Sequence, residues 1–228
     1  MKLWRFTEPF DHRFARASRV GGTWQEGEYK ERRRPLVIEW EPESDTVGDF
    51  TWPGFDTDTV VTDSVGKALA DARVEGYELR PVQMQENSEP AKRRSKKPMI
   101  KLPYSGPKLW DLWVTAWTRL DRDRSSVTEE RREDGKVTYK VSGVQHVETS
   151  WDQQCMELVK RMQPRIPEEG VFVQPVRGIF RVEELPAWIY CTDDVKRLVE
   201  EHNFTNVSFL EMGDVLDEPL DDLPPIVP

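Results

Sequence analysis

Along Pro186–Met212, PAWIYCTDDVKRLVEEHNFTNVSFLEM, the apolar residues change their spacing twice. Trp188, Ile189 and Tyr190 form a β-prone run and predict a strand. Val195, Leu198, Val199 and His202 recur at i, i+3, i+4 and i+7 and predict one face of a helix. His202 continues that face and reads as a partly buried residue at the helix end. Thr192 stands where an N-cap belongs, and its hydroxyl is expected to accept an orphan backbone N–H. Asp193 and Asp194 follow in the first turn, where acids complement the helix dipole. Asn203 and Asn206 read as stop and turn, and Val207 and Phe209 resume a strand.

The same pattern occurs 130 residues earlier. Val60-Val61-Thr62-Asp63-Ser64-Val65 lies over Tyr190-Cys191-Thr192-Asp193-Asp194-Val195 without a gap. Leu69 matches Val199, Val74 matches Phe204, Gly76 matches Asn206, Tyr77 matches Val207 and Leu79 matches Phe209. Gly and Asn most easily take φ > 0, which suits a helix exit. The chain therefore reads as two copies of one strand–helix–strand unit, each with its own leader. The predicted class is α+β with a mostly antiparallel sheet.

The remaining elements follow from shorter signals. MKLWRF and PLVIEW (35–40) predict strands, and the stretch between them reads as irregular. Leu109–Leu120, LWDLWVTAWTRL, alternates and predicts one long strand. Asp134-Gly135 between alternating segments predicts a hairpin over Val127–Val147. Trp151–Met162 predicts a short helix. Lys92, Arg93, Arg94, Lys96 and Lys97 lie between prolines and read as a solvated linker, exposed and mobile. The predicted organisation is a unit over 1–88, a basic Pro- and Ser-containing linker or loop over 89–106, a unit over 107–213, and an acidic proline-rich tail over 214–228.

Composition narrows the classes. With 228 residues the chain is one large domain or two small ones, and nine Trp enrich its core in aromatics. The net charge of −9 argues against a general nucleic-acid binder and favours a basic partner. No stretch approaches the ~20 apolar residues of a membrane span. The N-terminus has no apolar core of a signal peptide, and Cys155 and Cys191 make neither a disulfide framework nor a zinc site. A reducing cytoplasmic setting and no membrane association are expected.

No catalytic or cofactor motif is present in the sequence. His12, His146 and His202 are isolated, and a Cys155–His146 pair has only sequence proximity in its favour. Glu183-Glu184 and Asp193-Asp194 read as turn and helix-start charges. No metal and no cofactor are expected. The acidic segment is more suggestive. Glu211, Asp214, Asp217, Glu218, Asp221 and Asp222 come without a Lys or Arg among them, and Leu216, Leu220, Leu223 and Ile226 are interspersed. Such a segment is either a solubilising tail or a short acidic–apolar contact for a basic partner. Trp113 and Trp117 are the candidate aromatic contacts.

One resemblance rests on these residues. The segment TDDVKRLVEEHNFTNVSFLEM resembles the C-terminal signature of the double-CXXCG-motif proteins of myxobacteria and of related immunity proteins of bacterial polymorphic-toxin systems. Thr192, Asp193, Val195, Phe204, Val207 and Phe209 stand in matching places. LWDLWVTAWTRLDRDRSS is similar to the Trp-rich strand before the family's second cysteine pair, and MKLWRF to the family's opening. The paired CxxC motifs are missing here, so no zinc site is implied. The resemblance implies a non-enzymatic bacterial immunity protein that binds a toxin, with a basic toxin domain as partner. A scaffold module without a toxin, or an enzyme with no recognisable motif, are the alternative readings.

Overall fold

The structure is a computed structural model that describes residues 1–9, 11–21, 29–31, 35–131, 137–141 and 170–217. Strands β1 (Lys2–Thr7), β2 (Ala17–Arg19), β3 (Leu36–Trp40), β4 (Phe50–Thr51), β5 (Pro53–Asp56) and β6 (Val60–Thr62) lead into helix α1 (Asp63–Asp71) and strand β7 (Tyr77–Gln85). The short helix α2 (Pro90–Arg93) follows, then β8 (Leu109–Val114), β9 (Ala116–Thr118), β10 (Val127–Arg131) and β11 (Val137–Val141). The chain continues with β12 (Val171–Val173), β13 (Ile179–Val182) and β14 (Leu185–Thr192), helix α3 (Asp193–Glu201) and β15 (Ser208–Val215).

Two six-stranded sheets are mostly antiparallel, with orders β2-β3-β7-β8-β6-β4 and β12-β15-β1-β14-β13-β9. Their central plans agree. In one, β7 and β6 flank β8, both antiparallel to it; in the other, β15 and β14 flank β1 in the same way. Outside these, β3 runs parallel to β7 as β12 does to β15. On the other side, β4 is antiparallel to β6 as β13 is to β14. The register also recurs: Leu109 and Trp110 face Thr62 and Val61, while Leu3 and Trp4 face Thr192 and Cys191.

The central strands cross between the units. β1, from the start of the chain, completes the sheet of the C-terminal unit, and β8, beyond 89–106, completes that of the N-terminal unit. The division into 1–88 and 107–213 therefore does not separate two sheets. A strand–helix–strand crossover leaves room for one antiparallel strand between its two parallel strands. Local sequence does not say which distant strand fills it.

Both helices press on a shared core. Val65 and Leu69 of α1 and Val195 and Val199 of α3 are buried with Phe6, Phe50, Trp52, Leu112, Ile179 and Ile189, drawn from both halves of the chain. Each such aliphatic side chain contributes about 1.5–3 kcal/mol of hydrophobic free energy. The opposite faces close over two further clusters. One holds Leu3, Phe180, Tyr190 and Met212; the other holds Leu36, Ile38, Trp40, Val60 and Leu109. Around the first cluster the sheet curls back on itself: β9 lies on β13, and Leu120 bridges to Val173 of β12 at the far edge.

The helix ends repeat in detail. Arg73 and Asn203 take φ of 54° and 53°, and Gly76 and Asn206 take 88° and 58°. Val74 N–H donates to the Leu69 carbonyl at 3.0 Å and Phe204 N–H to Val199 at 3.3 Å, closing each helix with a left-handed turn. The starts differ from expectation. Neither Thr62 nor Thr192 caps its own helix through the side chain. Thr192 Oγ1 instead accepts the Gly178 N–H at 3.1 Å and contacts the Asp194 carboxylate.

Several further expectations change. The stretch before residue 35 contains the short strand β2. The long strand predicted over Leu109–Leu120 breaks at Thr115, whose N–H bonds the Gly76 carbonyl at 2.9 Å, so β8 and β9 enter different sheets. β15 runs to Val215, so the chain from 214 begins as strand and not as tail. His202 is exposed, because the helix has ended before the face returns to the core. In the 89–106 segment, Arg93, Arg94, Lys96 and Lys97 are exposed as a linker requires. However, α2 forms there, Lys92 pairs with Glu41 at 3.1 Å, and Met99, Ile100 and Tyr104 pack on the core. The segment is anchored at both ends. β10 and β11 pair as a hairpin, with Arg131 opposite Val137. Its Asp134-Gly135 turn, the helix expected at Trp151–Met162, and Cys155 and His146 lie outside the described residues.

Candidate functional site: the α3–β15 face

The second helix and the strand after it place their polar side chains on one face. Trp4 Nε1 donates to Asp193 at 2.8 Å, and the Lys2 backbone N–H donates to the same carboxylate at 2.9 Å. Lys196 lies 4.7 Å from the Trp4 ring centroid and bridges to Glu200 at 2.6 Å. On β15, Glu211 and Asp214 both approach the Lys2 ammonium, at 2.9 and 3.5 Å. The hydrogen bond that Lys2 donates to Glu211, then the charge of Asp214, raise the Lys2 pKa above its ordinary 10.5. Asp217 follows at an exposed position. Asp194, Glu200 and Glu201 are also exposed, so carboxylates outnumber cations across this face.

The N-terminal unit supplies an internal comparison. Trp110 Nε1 donates to Asp63 at 2.9 Å, as Trp4 does to Asp193, and Lys67 pairs with Asp63 at 2.8 Å. The Lys67 and Trp110 hydrogen bonds hold the Asp63 carboxyl below its ordinary 3.8. The tryptophan–aspartate bond therefore belongs to the shared framework. By their strand pairing, Pro81 and Gln83 of β7 hold the places of Glu211 and Asp214, one residue of β15 being taken up by a bulge. The same strand forms without carboxylates at those positions, so the fold does not require them.

The residues predicted from sequence fall into three groups. Glu211 and Asp214 lie on β15, and Asp217 is exposed two residues beyond its end. Glu218, Asp221 and Asp222 lie outside the described residues. Trp113 is only 4% exposed, beside Arg80, whose guanidinium lies 4.4 Å from the ring. A side chain so buried makes no surface contact. Alternation alone suggested an open face, but both faces of β8 are covered. Trp117 is half-buried, with Lys30 Nζ 5.2 Å from its ring. Sequence reading missed Trp4 and Lys196; the signal was the Leu-Trp pair at 3–4 and again at 109–110.

The other titratable candidates are engaged in structure. Glu183 pairs with Lys30 at 2.8 Å and Arg119 at 3.2 Å, and Glu184 accepts the Leu120 N–H at 3.1 Å. His12 Nδ1 lies 2.6 Å from Glu43. Cys191 is fully buried, and burial pushes its thiol well above the ordinary 9.0. Among the described residues no group of three His, Cys, Asp or Glu is placed to hold a metal ion, and no helix is long and apolar enough to cross a membrane. No family model matches the chain, and no match is found among curated proteins.

Proposed function

We propose that this protein works by stoichiometric binding to a basic protein partner, as an immunity-type protector against a toxin domain. The α3–β15 face makes the contact. The observation that carries this reading is the difference between two otherwise matching surfaces. Where β7 of the N-terminal unit has Pro81 and Gln83, β15 has Glu211 and Asp214. Half-exposed charge that the fold does not need is available for recognition. Carboxylates there speed encounter with a basic surface, over roughly 8 Å at physiological salt. The half-buried Trp4 and Phe209 beside them supply apolar contact area. Covering the partner's active surface is enough for protection, so the reading requires no catalytic group.

The same proposal includes the origin of the framework. The two units are copies of one ancestral element that have exchanged their first strands, β1 and β8. Reciprocal contacts support this. Ile179 N–H donates to the Glu75 carbonyl at 3.0 Å, and Phe50 N–H donates to the Thr205 carbonyl at 3.2 Å. Each unit's helix exit thus holds the strand that flanks the other unit's crossover, β13 or β4, as in a two-fold dimer.

The test of function is direct binding. The protein encoded by the neighbouring reading frame is purified and titrated with this chain by calorimetry. A one-to-one complex that also suppresses the neighbour's toxicity supports the proposal. A complex without protection favours the scaffold reading, and no complex removes that partner.

A further inference from the structure

We propose that a groove at the ends of β3 and β7, on the face away from α1, is a docking site for an acidic peptide segment carrying aliphatic side chains. The groove has a volume of about 270 Å³, and its wall includes Trp40, Asn87, Arg93, Met99, Ile100 and Lys101. It is independent of the α3–β15 face and opposite to it in charge.

Two observations converge. First, the walls are held in place. Asn87 Nδ2 donates to the Trp40 carbonyl at 3.1 Å, and the Trp40 ring stacks on Tyr104 with centroids 6.0 Å apart. Glu39 accepts Gln85 Nε2 at 2.6 Å and the Ser88 N–H at 2.9 Å, tying the end of β7 to β3. Second, the cations at this site have no carboxylate partner among the described residues. Lys92 is used by Glu41 and Glu89, but Arg93 and Lys101, with the neighbouring Arg94, Lys96 and Lys97, make no ion pair there. The groove wall thus holds cations without a carboxylate partner among the described residues beside aliphatic side chains.

That combination selects the ligand class. Carboxylates satisfy the cations. An aliphatic side chain matches Met99 and Ile100. Single-stranded nucleic acid is the poorer match. It binds on exposed aromatic faces, whereas Trp40 is buried.

The probe is a fluorescent synthetic peptide with the sequence of residues 214–228, DVLDEPLDDLPPIVP, which has the required chemistry. It is titrated against the full chain by anisotropy. A control peptide carries Asn for Asp and Gln for Glu. The expected result is saturable binding that weakens at least about tenfold for the neutral control, at high salt, and for the R93E/K101E variant. Both replaced residues are exposed, and unchanged circular dichroism and thermal midpoint verify that the variant is folded. Equal binding of the neutral control, or full binding by the folded variant, overturns the proposal. So does tighter binding of an oligonucleotide of equal charge. Tighter peptide binding by a chain truncated after Asp217 overturns the external occupant and assigns the groove to the protein's own C-terminal segment.

Discussion

At the scale of single residues, backbone conformation decides which side chains are tolerated. Arg73 and Asn203 both leave their helices at φ near +54°, but the two residues differ in cost. Asn tolerates this region, whereas a long side chain there loses about 1–2 kcal/mol. Arg73→Gly is therefore expected to stabilise the protein by about 1 kcal/mol in urea denaturation, while Asn203→Gly gains less. Gly76 is the reverse case. Its φ is +88°, and an added Cβ would stand 2.0 Å from the Ile179 carbonyl oxygen. Gly76→Ala is expected to cost about 2 kcal/mol or more in the same assay, since Glu75–Gly76 is where the two units touch. Glu39 sets an acid limit. Burial pushes its carboxyl up, but the Ser88 N–H and Gln85 bonds outweigh that and hold it below the ordinary 4.5. A depressed carboxyl stabilises the fold above its unfolded pKa, and the contribution is lost as pH falls through the folded value. Glu39→Gln should therefore lower stability at pH 7 and flatten its fall below about pH 4.5.

At the scale of elements, the units were legible because their signals are local. Helix periodicity, first-turn acids and φ > 0 residues lie within some 25 positions of one another, and a constant offset of 130 exposes the match. The strand that completes each sheet was not legible. Leu3-Trp4 and Leu109-Trp110 are 106 residues apart, so a comparison at the fixed offset passes over them. Their equivalence shows only in the register against Thr192 and Thr62 and in the bonds to Asp193 and Asp63. Burial of Trp113 was hidden for a related reason. Alternation along β8 marks two faces, and which of them meets solvent depends on distant segments. The tryptophan–aspartate bonds give a paired prediction. Trp4→Phe and Trp110→Phe should each cost about 1 kcal/mol in urea unfolding, by equal amounts within error, because each removes one indole N–H from the same geometry.

At the scale of the whole molecule, β1 and β8 each complete a sheet built by the other half of the chain, so each half depends on the other. Cleavage within the exposed Arg94–Lys97 stretch should leave the two fragments bound under native conditions. After separation in denaturant, each alone should stay unfolded, and mixing should restore the native spectrum. The acidity of Glu211 and Asp214 was legible in the sequence; their place beside Lys2, next to Trp4 and α3, was not. The most direct measurement is the association rate with the neighbouring gene product at two salt concentrations. It compares the intact chain, an E211Q/D214N/D217N variant, and an E75Q/E78Q variant of the N-terminal unit. The account predicts slower association for the first variant at low salt, a difference that disappears at high salt, and no change for the second. Equal, salt-insensitive rates for all three chains would contradict it.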